Sequence, residues 1–481
     1  MNRSRQKRKG RKEHKGTGHT QKVAEDICAE EILRADTLVL GAGASGLTAG
    51  ITAAERSSVI IADGNDRAGR KLAVTGNGRC NFTNAYCGEE GYNGCGDGFV
   101  SSVLNAFSVE NTLEFFSEAG LMTRLEEGGR YYPYSGQAVS LIRVLTREAQ
   151  RRGCRMMLGD RAVSAEGKAA GRNTGSERFS VLFESGRRIV CRNLIIACGG
   201  RAGLKTGSTG DGYGFARAFG HTLVPPRPAL TAVESDAVFL TGLKGVRAKG
   251  IVTLCRDGRK IAEERGEIQF TGTGISGICV FDLTRCMEGL PPGSGKRRRD
   301  PEKKAEQEET VYSGDSSCPS FGGPRYDIIC DFVPEKTEEE LRILISRRQK
   351  EGRKLKEILE GIVNEHLAET LSELSSVTAV SAASLLKNLR VPVAHTKGWN
   401  EAQVTCGGVR REEIDPLTMQ SRLTEGLYFC GEVADVDGRC GGFNLQWAWS
   451  SGAVAGRLGG RTAEERGSRA GSGSGNRSED E

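Results

Sequence analysis

Up to position 34 the chain shows no apolar periodicity, and at Ala35 the pattern changes abruptly. The stretch ADTLVLGAGASGLTAGITAAERSSVIIAD reads as an apolar strand, a glycine turn, a helix of small residues and a second apolar strand. Helical spacing of three and four recurs in VLNAFSVENTLEFFSEAGL, residues 103–121, and again over 138–152. Apolar runs at 179–183 and 189–198 read as strands, and from 217 to 286 short β-like runs are broken by Gly and Pro. Residues 290–325 are rich in Gly, Pro, Ser and charge, a composition that cannot bury a core and predicts a flexible surface insertion. Positions 336–390 are predicted helical. From Thr405 the chain returns to glycine-rich α/β character and ends in a helix near Ala453.

The expected organisation follows from these changes of pattern. A tail covers 1–34, the first part of an α/β domain 35–215, and an inserted β-rich domain 216–335. A helical subdomain covers 336–395, the second part of the α/β domain 396–460, and a polar tail 461–481. No fixed-period repeat is present, and no apolar run reaches the roughly 18 residues of a membrane span.

Composition changes the picture only at the start. The formal net charge is +6, from 68 Lys and Arg against 62 Asp and Glu. Arg3, Arg5, Lys7, Arg8, Lys9, Arg11, Lys12, Lys15 and Lys22 outweigh that excess, so the rest of the chain is near neutral. This segment has no aromatic residues for base stacking and no apolar core of a signal peptide. It reads as a solubilising tail, and nucleic acid is not an expected partner. The 15 cysteines are odd in number and include no C-x-x-C pair, which fits reduced thiols in a cytoplasmic enzyme, with no metal site.

Candidate chemistry begins at the first strand. Gly41-Ala42-Gly43-Ala44-Ser45-Gly46 is a G-x-G-x-x-G between that strand and a helix. Gly41 permits the tight turn, Gly43 lets a pyrophosphate approach the backbone, and Gly46 lets helix and strand pack closely. The helix start at Ala44 and Ser45 offers free N–H groups and partial positive charge to the phosphates. The second strand ends at Asp63-Gly64, with Asp63 22 residues after Gly41, where an acid takes a ribose diol and disfavours a 2′-phosphate.

Three later segments favour FAD over NAD as the tightly held cofactor. In DRAGRKLAVTGNGRCNFTN (66–84), Arg70, Lys71, Asn77, Gly78, Arg79, Cys80 and Asn81 form a polar loop suited to phosphates or ring oxygens. Ala197-Cys198-Gly199-Gly200 ends an apolar strand in a corner that admits close approach. Gly431-Glu432 follows another strand, and Gly442, Asn444, Leu445 and Gln446 stand at a helix start that can face a flavin oxygen. One extended cofactor spanning both chain ends accounts for all three.

GAGASGLTAG, GRKLAVTGNGRCNFTN, KTGSTGDGYGFARAFGH and GLYFCGEVADVDGRCGGFNLQWAWSSG resemble the microbial family of NAD(P)/FAD-dependent flavoproteins of the two-dinucleotide-binding-domain superfamily. Its members include a 3-dehydro-bile-acid Δ4,6-reductase of gut clostridia. The resemblance covers about residues 36–460. It implies an α/β fold with a Rossmann-type FAD-binding domain assembled from both chain ends, interrupted by a β-rich domain and a small helical subdomain. It also implies reduction of a C=C bond conjugated to the 3-oxo group of a steroid acid, in bile acid catabolism. NADH or NADPH would be the transient electron donor and the substrate an apolar small molecule. Gly272 and Thr273 stand where the family carries His-Phe, Ile278 where it carries Pro, and the 290–325 insertion is longer.

For the group that polarises the carbonyl or supplies the proton, the sequence offers Tyr131, Tyr132, Tyr134, His221 and His395, with Tyr132 and His395 the catalytic choices. A thiol reading from Cys80, Cys87 and Cys95 lacks the spacing of a redox pair. The competing functions are a flavin oxidase of small amines or amino ketones, and a tRNA-associated flavoprotein using the basic tail.

Overall fold

The computed structural model describes residues 32–167, 177–290, 324–378 and 380–459. The basic segment before Ile32, nearly all of the 290–325 insertion and the tail after Gly459 lie outside the described residues.

Strand Ile32–Leu40 lies inside a seven-stranded sheet. Val59–Asp63 pairs with it in parallel on one side, Arg188–Ile196 in parallel on the other, and Arg155–Leu158 extends the first edge. The other edge of Arg188–Ile196 is shared. Its first half pairs antiparallel with Phe179–Phe183, and its last three residues pair parallel with Leu427–Phe429. That last pairing makes one sheet from both chain ends. Only the last residues of Ile32–Leu40, Leu38, Val39 and Leu40, form a buried apolar run, while Arg34 and Asp36 in its first half are exposed.

The small residues of the two glycine-loop helices have a packing role. Helix Ala44–Ala53 lies against the terminal helix Phe443–Gly456 with the backbones nearly touching. A Cβ at Gly452 would stand 2.5 Å from the Ser45 carbonyl oxygen, and one at Gly456 2.5 Å from that of Ala49.

The inserted body is a second seven-stranded sheet, antiparallel, with its own core. Its order is Leu389–Val393, Tyr326–Asp331, Arg247–Arg256, Arg259–Phe270, Gly274–Ser276, Val233–Glu234 and His395–Thr396. Helices Glu338–Lys350, Leu355–Glu360, Glu365–Thr378 and Ala382–Asn388 contribute buried leucines to that core. The helical subdomain expected to run to 395 therefore stops earlier. Residues 389–393 alternate buried and half-buried positions and include Pro392, which suits an edge strand and not a helix. Strands Leu223–Ala229 and Val404–Val409 form a two-stranded bridge beside the junction.

Candidate functional site

Between the two sheets runs a cleft of about 1430 Å³, larger than the roughly 300–1,000 Å³ of a typical single-ligand pocket. It begins at the glycine loop, passes the 69–81 loop and the start of the terminal helix, and ends against the inserted sheet.

At the nucleotide end the local chemistry matches the spacing. Gly41 has φ +113° and a Cβ there would sit 2.4 Å from the Ala197 carbonyl oxygen. A Cβ at Gly46 would sit 1.8 Å from the Gly41 carbonyl oxygen. Gly43 is the opposite case, because a Cβ there meets nothing within 4 Å. It caps helix Ala44–Ala53 without a side-chain hydrogen bond, so the first-turn N–H groups face an open cradle. Asp63 closes this end. Its carboxylate accepts from the Ala42 N–H at 2.7 Å and from the Asn65 N–H at 2.8 Å.

The middle of the cleft is braced from both chain termini. Lys71 Nζ lies 2.5 Å from Glu432 Oε2, and Glu432 Oε1 accepts from the Thr405 N–H at 2.9 Å. Asn77 takes a left-handed conformation at φ 55° in the Gly76–Gly78 turn. Arg79 lies 4.3 Å over the Tyr132 ring and donates to Glu126. The Oδ1 of Asn81 is buried with no hydrogen-bond partner, in a wall of the cleft. The terminal helix starts at Gly442, φ 108°, where a Cβ would press on the Thr83 backbone at 2.6 Å. The tryptophans of that helix act as struts. Trp449 Nε1 donates to the Phe82 carbonyl at 2.8 Å and Trp447 Nε1 to the Gly431 carbonyl at 3.1 Å.

The far wall comes from the inserted body. Strand Arg259–Phe270 supplies Glu264, and helix Ile278–Thr284 supplies Ile278 and Asp282. They meet the segment before the terminal helix. Glu264 pairs with Arg439, Asp282 Oδ1 accepts from the Cys440 N–H at 2.7 Å, and Arg285 Nε lies 2.7 Å from the buried Asp437. Burial raises the carboxyl pKa of both Asp282 and Glu264 above the usual range. Among the exposed residues of the lining, the apolar Val74, Tyr86 and Ile278 stand beside the charged Arg265 and Glu267.

The sequence candidates divide clearly. Gly41, Gly43, Ala44, Ser45, Asp63, Gly64, Arg70, Lys71, Asn77, Arg79, Asn81, Ala197, Gly199, Glu432, Gly442, Asn444, Leu445 and Tyr132 line one cleft. Gly46, Gly78, Cys80, Gly200, Gly431 and Gln446 stand outside its lining. Gly200 serves indirectly, since a Cβ there would strike Thr405 and Glu432. Gln446 is fully buried, and its amide is consumed by Thr83, Thr112 and Ser450 at 2.6, 2.8 and 2.9 Å. Cys80 is buried, with its thiol pKa pushed up to about 12, and that of Cys87 stands at about 11, so neither is a ready thiolate.

The histidine choice is corrected. His395 lies outside the cleft lining because strand pairing with Val233–Glu234 fixes it at the sheet edge, its Nε2 3.4 Å from Glu234. His221 is buried between Glu413 and Ser421, at 2.9 and 2.8 Å. Sequence reasoning missed Asn65, Glu264, Asp282 and Arg439. The only signal for Arg439 was its place before the Gly441-Gly442 corner.

The HI0933-like protein Rossmann domain model matches residues 35–458. The chain is 34% identical over 437 residues to the 3-dehydro-bile acid delta(4,6)-reductase of Clostridium scindens, covering 87% of this chain and 97% of that protein. It is 30% identical over 421 residues to the ribosomal RNA dihydrouridine synthase of Haemophilus influenzae, covering 86% and 96%. It is 26% identical over 433 residues to the enzyme of that name from Escherichia coli, covering 87% and 96%. Among the described residues, no helix is long and apolar enough to cross a membrane.

Proposed function

The chain belongs to the HI0933-like Rossmann family and is an FAD-dependent oxidoreductase acting on CH–CH groups; from that premise we propose that it saturates a C=C bond conjugated to the 3-oxo group of a steroid or bile acid. The observation that carries the reading is the cleft: one cavity joins the nucleotide cradle to a far wall from the inserted body, with Val74, Tyr86 and Ile278 exposed in its lining. Its size leaves room for a second molecule beside the cofactor.

The residues present fit FAD. Gly43 leaves the phosphate cradle open, Asp63 is placed for a ribose, and the unpartnered Asn81 oxygen awaits a donor. The Lys71–Glu432 pair and the first turn of the terminal helix would hold the ribityl chain and the ring. Bound FAD, once reduced, supplies the hydride, and NADH or NADPH is the proposed donor. The chain's own task is to hold the alkene in the cleft, exclude water and deliver a proton. Tyr132, held under Arg79 in the cleft wall, is the proposed partner of the substrate carbonyl.

A second reading has its own support in the two ribosomal RNA dihydrouridine synthases. Saturating a uracil ring also reduces a C=C bond conjugated to a carbonyl, so the chemistry is shared and the substrate differs. Purified protein is expected to be yellow and to bleach anaerobically with NADH or NADPH. A 3-oxo-4,6-diene bile acid should then restore the oxidised spectrum. Restoration only by a uridine-containing ribosomal RNA transcript favours the second reading. Fast peroxide production from a small amine, with no response to either alkene, overturns both.

A further inference from the structure

Completing the reduction of a polarised alkene takes a hydride and a proton, and the proton must come from a group that reaches the cleft. The charged cluster where the inserted body meets the 437–442 segment contains three carboxyl groups and two guanidinium groups in direct contact with the segment. Arg285 is engaged by Asp437, and Arg439 by Glu264. Asp282 makes no ion pair among the described residues. Its Oδ1 accepts from the Cys440 backbone N–H at 2.7 Å, its carboxyl also meets the Cys440 side chain, and the residue is only 7% exposed while lining the cleft.

Burial favours the neutral form of a carboxyl that makes no ion pair, because desolvation penalises the charged form. The groups facing Asp282 are Glu264 and Cys279 from the inserted body, Arg285 at the end of its own helix, and Arg439 and Cys440 from the cofactor side. The two guanidinium groups pull its pKa down and burial pulls it up, and burial is the larger effect. The Asp282 carboxyl in turn raises the pKa of the neighbouring Glu264. Asp282 also lines the same cleft as the start of the terminal helix, and it holds the Cys440 N–H two residues before Gly442, where that helix is capped.

Resting on the ene-reductase reading, we propose that Asp282 is the acid that supplies the proton in the reduction of the C=C bond. The hydride supplied by the reduced cofactor would go to the alkene carbon remote from the carbonyl. The Asp282 carboxyl O–H breaks and its proton goes to the carbon next to the carbonyl. One carboxylate and one saturated product result, and Asp282 takes a new proton from solvent before the next turnover.

The test uses FAD-loaded wild type, D282N and D282E. Asparagine keeps an acceptor for the Cys440 N–H but has no acidic proton. At neutral pH, an infrared difference spectrum of wild type against D282N should show the carbonyl stretch of a neutral carboxyl, and this readout needs no substrate. With dithionite-reduced flavin, re-oxidation of D282N by the dienone should be slower by about 100-fold to 10,000-fold. D282E should recover part of the rate. Absence of the neutral-carboxyl band, or D282N re-oxidising as fast as wild type, overturns the proposal. If wild-type flavin ignores the dienone and responds to the RNA, the steroid reading fails, and the same D282N comparison with RNA decides the role of Asp282.

Discussion

Gly43→Ala separates the cofactor cradle from the fold. In the protein an added methyl at position 43 meets nothing within 4 Å, and the backbone there, at φ −85°, is one any residue adopts. The substitution should therefore leave the apoprotein within about 0.5 kcal/mol of wild type. The methyl does, however, occupy the space through which a pyrophosphate reaches the first-turn N–H groups. Losing one charge-assisted hydrogen bond costs about 1.5–3 kcal/mol, which is roughly 10-fold to 150-fold in the FAD dissociation constant. Gly46→Ala is the control with the opposite signature. Its methyl would stand 1.8 Å from the Gly41 carbonyl oxygen and 3.2 Å from Ala197 Cβ, forcing helix from strand at about 1–3 kcal/mol of stability. Urea midpoints of the apoproteins and FAD titration by flavin fluorescence give both quantities. Gly43→Ala protein that binds FAD within about twofold of wild type would refute the placement of the phosphates at this helix.

Other substitutions test the supports around the cleft. Arg285→Ala leaves the nearly inaccessible Asp437 carboxylate without its partner at 2.7 Å, and should cost about 3–5 kcal/mol in a denaturation midpoint. Gln446→Leu strands the hydroxyl groups of Thr83, Thr112 and Ser450 around an apolar side chain. It should lower stability by about 1–3 kcal/mol without shifting the bound flavin's absorbance, because the amide does not reach the cleft. Desolvation lowers the His221 pKa below 6.5, so this side chain is folded in its neutral form. Its contribution to stability is thus complete above that pH and is lost as pH falls through the folded value; Glu413, whose pKa is also lowered, adds in the same direction. Urea midpoints between pH 8 and about pH 5 should fall, and His221→Asn should flatten the slope.

The nucleotide end was legible because its requirements are local. Turn, close approach, helix start and ribose acid fall within Gly41 to Asp63, and each is a property of one residue type at one spacing. The shared sheet was legible for a related reason, since the apolar runs at 194–197 and 427–429 carry no polar residue but Tyr428 and are buried in the fold, though Arg192 earlier in the first strand is exposed. What failed was any judgement that depends on burial. Gln446 and His221 look like reactive polar groups in the chain, and in the fold every polar atom of either side chain is spent on neighbours. His395 stood near the return to the first domain, but two-residue pairing with Val233–Glu234 moves it to the sheet edge, a register no local pattern announces.

The far wall was illegible for a deeper reason, and that reason bears on how this fold takes different substrates. Glu264, Asp282 and Arg439 become neighbours only when a hairpin, a short helix and the segment before the terminal helix close together. The glycine loop, the 69–81 loop and the terminal helix proposed to hold the cofactor belong to one body, and the proposed acid Asp282 belongs to the other. Changing the inserted wall can therefore alter what enters the cleft while the glycine loop, the 69–81 loop and the terminal helix keep the same partner. A steroid dienone and a uracil ring make the same electronic demand, a hydride at one alkene carbon and a proton at the next, and differ in shape and charge. Ile278, half exposed in the cleft lining, lies on the same seven-residue helix as Asp282. Shape discrimination and proton delivery thus share one short element, and a substitution at Ile278 should change which alkene is accepted more than the rate at which an accepted one is protonated.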